Sequence, residues 1–158
     1  MSLAGLKEAL GAFATGVTVI TVHDAEQRPH GMTANAFCSV SVDPALLLVC
    51  VNRSAQTHQL IAESGRFAVN VLAEPLEHIS RYCARPGADK ILEPDWLVDE
   101  APGRGPHVKD AAAYFDCEAA ARHEAGTHSI FVGRVVAVAA RPHAPLLYYR
   151  GTYRRIAS

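Results

Sequence analysis

The chain has 158 residues, 49% hydrophobic and 20% charged, with a net charge of −1. That length and balance predict one globular domain, 1–158, with a sizeable core, and they exclude the basic surface that nucleic acid or an anionic membrane would select. No apolar run approaches the roughly 20 residues that span a bilayer, and the N-terminus lacks the pattern of a signal peptide, so the expected location is cytoplasmic.

Cys38, Cys50, Cys83 and Cys117 are widely separated in the chain. The absence of Cys-x-x-Cys spacing argues against structural zinc. Without a secretory signal, four buried or semi-buried thiols are expected instead of two disulfides. The eight histidines are scattered, and no spacing among them points to a metal.

In chain order, Leu3, Leu6, Leu10 and Phe13 recur at helical spacing behind Ser2, which predicts a short amphipathic helix packed on the body of the domain or on a partner subunit. Val17 to His23 reads as a strand. Asp24 to Pro29 reads as a polar turn, making a hairpin with the strand that follows. From Gly31 to Pro44 the sequence alternates without a helix signal. Met32, Ala34, Ala36, Cys38, Val40 and Val42 form an apolar row directed at a core. Thr33, Asn35, Phe37, Ser39 and Ser41 form the opposite row, free of Lys and Glu and suited to a flat polar ligand.

Leu46 to Val51 is apolar throughout and is expected to be buried on both faces. A helix should follow over Ser54 to Ser64, capped by Ser54 and stopped by Gly65, its start offering N–H donors to an anion. Phe67 to Leu72 is the next strand, and a helix with Pro75 in its first turn runs to about Ala84. Arg85 to Lys109 is irregular, with Trp96 as the anchor of that loop. Tyr114 to Arg122 and Ile130 to Ala140 read as strands, with Gly133 marking a bulge or a close approach. Leu146 to Arg150 and Tyr153 to Ile156 close the chain. Strands with a few inserted helices predict a mainly β fold, a closed Greek-key barrel in preference to a parallel sheet.

Several stretches together resemble the flavin reductase family: Gly16-Val-Thr-Val-Ile-Thr21, Gly31-Met-Thr-Ala-Asn-Ala-Phe37, Ser39-Val-Ser-Val-Asp-Pro44, Phe67-Ala-Val-Asn-Val-Leu72, Gly126-Thr-His-Ser-Ile-Phe-Val-Gly133 and Pro145-Leu-Leu-Tyr-Tyr-Arg-Gly-Thr-Tyr153. The resemblance spans nearly the whole chain in the family's order. It implies an FMN-binding split β-barrel, usually a homodimer, that uses NADH or NADPH to reduce FMN or FAD for a monooxygenase partner.

The resemblance also implies the site residues. Met32, Thr33, Ala34 and Asn35 would meet the ring edge, and Cys38 and Ser39 match positions that approach the cofactor. Asn52, Ser54 and Thr57 are expected at the phosphate or ribityl chain. Arg85, Asp89 and Lys90 begin the long loop where the family commonly has Asp-Lys-Phe; here Ile91 replaces the aromatic. His128 stands in Gly126-Thr127-His128 where the family has Gly-Asp-His, and it is expected on the nicotinamide side. Tyr149 and Arg150, with Tyr148 beside them, match the stretch near the nicotinamide. Hydride would pass from nicotinamide C4 to flavin N5 without a strong general base, so orientation and water exclusion are the protein's part. The competing readings are a flavin- or haem-binding split barrel that acts as carrier or sensor, and a pyridoxamine-phosphate oxidase, whose phosphate site usually draws on more Arg and Lys.

Overall fold

The computed structural model describes residues 1–87, 89–98 and 104–157. Helix α1 (Leu3–Gly11) begins as expected, with the Ser2 hydroxyl accepting the Gly5 N–H at 3.1 Å. Strands β1 (Thr15–Gly16), β2 (Thr18–His23), β3 (Pro29–Ala34), β4 (Phe37–Ser41) and β5 (Leu46–Asn52) follow. After α2 (Gln56–Ser64) come β6 (Arg66–Val71) and α3 (Glu77–Cys83), the latter preceded by a 3₁₀ turn with Pro75 inside it. The long hairpin β7 (Ala113–Ala125) and β8 (His128–Ala140) and the short pair β9 (Leu147–Tyr149) and β10 (Thr152–Arg154) complete the fold.

Seven strands form one antiparallel sheet in the order β3-β2-β6-β7-β8-β5-β4, and β1, β9 and β10 form a second, small sheet. In a flat seven-stranded sheet the outer strands would be about 29 Å apart, six gaps of about 4.8 Å. Yet β3 and β4 occupy opposite edges with only Asn35 and Ala36 between them, a link that spans roughly 10 Å at most. The sheet therefore curls until its edges meet, giving a barrel that stays split between β3 and β4. The expected β-barrel class holds.

The single alternating strand expected over Gly31 to Pro44 is two strands. The link resets the side-chain phase, so Met32, Ala34 and then Phe37 pack on one core, while Cys38 and Val40 are exposed. A register shift between Ser39 and Ser41 breaks the alternation again. Cys38 therefore leaves the apolar row and is not one of the expected sheltered thiols. Cys83 and Cys117 are buried and Cys50 is partly so; all four are free.

Strand β5 also differs from expectation. Leu47, Val49 and Val51 are buried, while Leu46, Leu48 and Cys50 on the other face are only partly covered. The strands covered on both faces are β2 and β6. One core, with Ile20, Val49, Phe67, Val69 and Phe131, lies inside the barrel, and Ile61 of α2 reaches it. The other, with Val19, Leu72, Ile79, Cys83, Leu92 and Leu146, lies between β2, α3, the long loop and the small sheet. Those elements cover β2 and β6 and leave β5 uncovered, which is the reason for the difference. Trp96 anchors the loop as expected, meeting Tyr82 edge-on at 5.0 Å and His78 at 5.7 Å.

Gly133 is a close approach, since a Cβ there would stand 2.6 Å from Phe67 Cζ and 2.9 Å from Cys117 Cβ. Gly133→Ala should therefore destabilise the barrel by about 1–3 kcal/mol, the usual cost of overpacking. A urea titration should show a lower midpoint with an unchanged slope.

Candidate functional site

One end of the barrel is built where β5 stops, β8 starts and α2 begins. Asn52, the last residue of β5, lies opposite His128, the first of β8. The Asn52 Oδ1 accepts hydrogen bonds from both the N–H and the hydroxyl of Ser54, each at 2.9 Å. This Asx-type turn takes the Ser54 side chain away from the helix, so Ser54 is not the cap that the sequence suggests. The N-cap is Ala55, which has no side-chain acceptor, so the first-turn N–H groups of α2 have no capping side chain. Ser54 is exposed, whereas Thr57 is 2% exposed and packed.

The strand ends are tied together by the backbone and by side chains. Arg53 donates its N–H to the Thr127 carbonyl at 2.9 Å, and its guanidinium pairs with Glu124 at 3.2 Å. Thr127 Oγ1 lies 2.9 Å from His128 Nδ1, and His128 is exposed. Behind them His58 Nε2 meets Ser129 Oγ at 2.8 Å. Burial lowers the His58 pKa, and the charges of Arg122 and Arg53 lower it further against an opposing effect of Glu124.

The split edge joins this corner. Cys50 donates its N–H to the Ala36 carbonyl at 3.1 Å, which sets the Asn35-Ala36 link beside the end of β5. Asn35, Cys38 and Ser39 are exposed there. On β3, Thr33 Oγ1 donates to the Ser80 carbonyl of α3 at 2.6 Å. Ser80 Oγ is 2.7 Å from Tyr153 OH, and Tyr153 packs edge-on to Tyr148 at 5.3 Å. Arg81 lies 4.8 Å over the Tyr153 ring. Between α3 and the small sheet is a cleft of about 450 Å³ lined by Glu77, Arg81, Arg85, Tyr148 and Tyr153.

Asn52, Ser54 and His128 thus stand together at one end of the barrel with the Asn35-Ala36 link beside the end of β5, and Thr33 ties β3 to the helix that lines the tyrosine cleft. Arg85 stacks on Tyr82 at 3.9 Å beside the cleft. Lys90 points its Nζ toward the Arg85 carbonyl, 3.4 Å away. Arg150 sits in the two-residue turn between β9 and β10, with φ 47° followed by 78° at Gly151. This pair of positive φ values suits a tight hairpin turn. Arg150 donates its N–H to the Gly11 carbonyl at 3.0 Å, and its guanidinium lies 5.6 Å from the Tyr149 ring. His128 is therefore a neighbour of Asn52, while Arg150 belongs to the small sheet and α1. Sequence reasoning missed Ser80 and Arg81; Ser80 in a helix carries no signal until Thr33 and Tyr153 are seen on either side of it.

Residues 10–157 match the family model described as flavin reductase like domain. A probable flavin reductase of Rhizobium meliloti is 45% identical over 150 residues, covering 94% of this chain and 47% of that protein. The reductase component of a flavin-dependent trigonelline monooxygenase of Acinetobacter baylyi is 39% identical over 148 residues, with 94% and 47% covered. The chain thus spans about half the length of these two curated relatives. An NADH:FAD oxidoreductase of Streptomyces globisporus, solved with NAD and FAD fragments, superposes with a TM-score of 0.88 at 37% identity, covering 98% of this chain and 92% of that one.

The Asn52 turn carries the corner whatever binds to it. Asn52→Ala removes the acceptor of two hydrogen bonds and should cost about 0.5–2 kcal/mol. Thermal unfolding of the variant, together with faster amide exchange at Ser54, checks this.

Proposed function

The chain belongs to the flavin reductase like domain family, and on that premise we propose that it is an NAD(P)H-dependent flavin reductase supplying reduced FMN or FAD to a monooxygenase partner. The observation that carries the reading is the gathering of Asn52, Ser54 and His128 at one end of the barrel, with the Asn35-Ala36 link beside the end of β5. The relatives support each part of it. A relative described as a flavin reductase (NADH) favours NADH, and the oxidoreductase solved with NAD and FAD fragments favours a dinucleotide flavin. The reductase component of a monooxygenase system favours an oxygenase partner.

The residues fit a flavin. The uncapped start of α2, with the Ser54 hydroxyl next to it, suits a phosphate. Met32 to Asn35 suit the polar ring edge. When bound, flavin supplies the hydride-accepting ring. The chain supplies a slot, an anchor and a dry contact, and no acid–base pair is required. His128 would orient the nicotinamide across the seam, with Tyr149 and Arg150 holding its far end.

In a coupled assay, the protein with NADH and FMN should consume absorbance at 340 nm. Flavin binding without turnover would instead mark a carrier. His128→Ala should slow reduction by about 10²-fold or less while leaving flavin affinity nearly unchanged. Collapse of flavin binding, with bound flavin still reduced at the wild-type rate, would move His128 into the flavin pocket.

We also infer a homodimer. Leu3, Leu10 and Phe13 on and after α1 are 68%, 67% and 77% exposed, and Val136 and Val138 of β8 are 50% and 58% exposed. Single exposed apolar residues are ordinary, but rows of them on one helix and one strand face mark an interface. No described helix is long and apolar enough to cross a membrane, and a cytoplasmic site would give access to NADH and an oxygenase. Sedimentation should show a dimer at micromolar concentration, and Val138→Asp should shift it toward monomer. A wild-type monomer with intact flavin binding would overturn the interface.

A further inference from the structure

We propose that His30 is a positioning residue, set between Asp24 and Asp89, that docks the Asp89-Lys90-Ile91 segment against β3 and thereby holds Lys90 as a second contact, in addition to the start of α2, for the flavin phosphate. The flavin half of this rests on the function proposed above; the docking half does not.

His30 is 2% exposed, and both its ring nitrogens face carboxylates. Nε2 lies 2.8 Å from Asp24 Oδ2. Nδ1 makes no hydrogen bond, and Asp89 Oδ1 is 3.3 Å away at ion-pair distance. The ring thus holds Asp24 through a hydrogen bond and stands against Asp89 by proximity alone. His23 also stands near enough to His30 for their charges to interact, and Arg28 feels both Asp24 and Asp89.

The two carboxylates are held very differently. Asp24 is fixed by its own turn: Oδ1 accepts the N–H groups of Glu26 and Arg28, each at 2.9 Å, and Oδ2 accepts from Arg28 Nε at 2.7 Å. Burial opposes its ionisation, but the hydrogen bonds from His30 and Arg28 outweigh that and hold its carboxyl well below the usual carboxylate range. Asp89 belongs to the loop, and its side chain is 55% exposed. His30 thus has one rigid partner and one that can leave.

The backbone on either side shows what the clamp secures. Gly31 donates its N–H to the Lys90 carbonyl at 3.0 Å, and Leu92 donates to the Pro29 carbonyl at 2.8 Å. His30 and Ile91 are therefore paired antiparallel, and the segment covers the free edge of β3. The fit beneath is tight, since a Cβ at Gly31 would stand 2.9 Å from Cys83 Sγ and 3.0 Å from Leu92 Cδ2. Burial lowers the Lys90 pKa, the nearby Cys83 raises it and Arg85 lowers it. Cys83 is fully buried, and burial pushes its thiol up to about 12. Its thiol is thus a reporter of docking.

The test labels the full chain with iodoacetamide at one pH and reads each cysteine by peptide mass. Titrations with FMN and with riboflavin accompany it. Asp89→Asn and His30→Gln should raise Cys83 labelling roughly three- to tenfold, the range for losing one partly exposed charge pair, while Cys117 in the other core stays protected. FMN affinity should fall by a similar factor with riboflavin affinity unchanged, and the double variant should match His30→Gln alone. If His30→Gln does not fold, Asp89→Asn decides by itself, because its side chain is exposed and keeps its shape. Unchanged Cys83 labelling in Asp89→Asn, or additive effects in the double variant, overturns the clamp. Faster Cys83 labelling with FMN and riboflavin both bound as in the wild type removes Lys90 from the phosphate and overturns the flavin half. If the wild type binds no flavin, the functional reading fails, while the labelling still decides the docking.

Discussion

The two-residue link Asn35-Ala36 joins strands at opposite edges of a seven-stranded sheet, and the rest of the structure depends on that short tether. It forces the sheet to curl, and curling encloses the core around Phe67 and Phe131. The tether also resets which side chains face inward, so Phe37 packs on the core and Cys38 faces out. Because Ala36 accepts from Cys50, the link lies beside the end of β5, where Asn52 faces His128.

A second set of polar bonds holds the return of the long loop. Asn70 donates to the Val19 carbonyl at 3.2 Å and accepts the Val108 N–H at 2.8 Å. Thr21 donates to the Pro106 carbonyl at 2.6 Å. His107 Nε2 meets Asp116 Oδ1 at 2.8 Å, stacked on Tyr114 at 3.8 Å. These groups are buried, where an unmet polar atom is costly and a met one specifies a single arrangement. The stretch around Pro106 thus lies against β2, β6 and β7 at one register. With the pairing of residues 90–92 on β3, both ends of the loop are anchored to the barrel.

The site is made from ends of elements: turns, a helix start and strand termini. That placement suits a reaction in which donor and acceptor carry the chemistry and the protein supplies alignment. The start of α2 has no capping side chain, while the strand interiors remain packed.

Local patterns determined much of this protein. The Ser2 cap, the Asp24 turn with its hairpin, the Gly65 stop and the β character of the chain follow from residue types within a few positions of one another. The family motifs pointed to candidate site residues, of which Met32 to Asn35, Cys38 and Ser39 lie on the two edge strands and their link. Other features depended on contacts between distant segments. Alternation over Gly31 to Pro44 looks continuous in sequence because a two-residue link carries no marker of a phase change. Leu46 to Val51 reads as doubly buried because composition cannot tell which strands the long loop and α3 will cover. Ser54 reads as a cap because its competition with Asn52 depends on the turn geometry. The pairing of His30 with Asp24 and Asp89 has no spacing signature, since it needs the hairpin and the loop brought to the same edge. Local propensity acts over a few residues, but closure and burial are set by the whole sheet, and only the tertiary structure decides them.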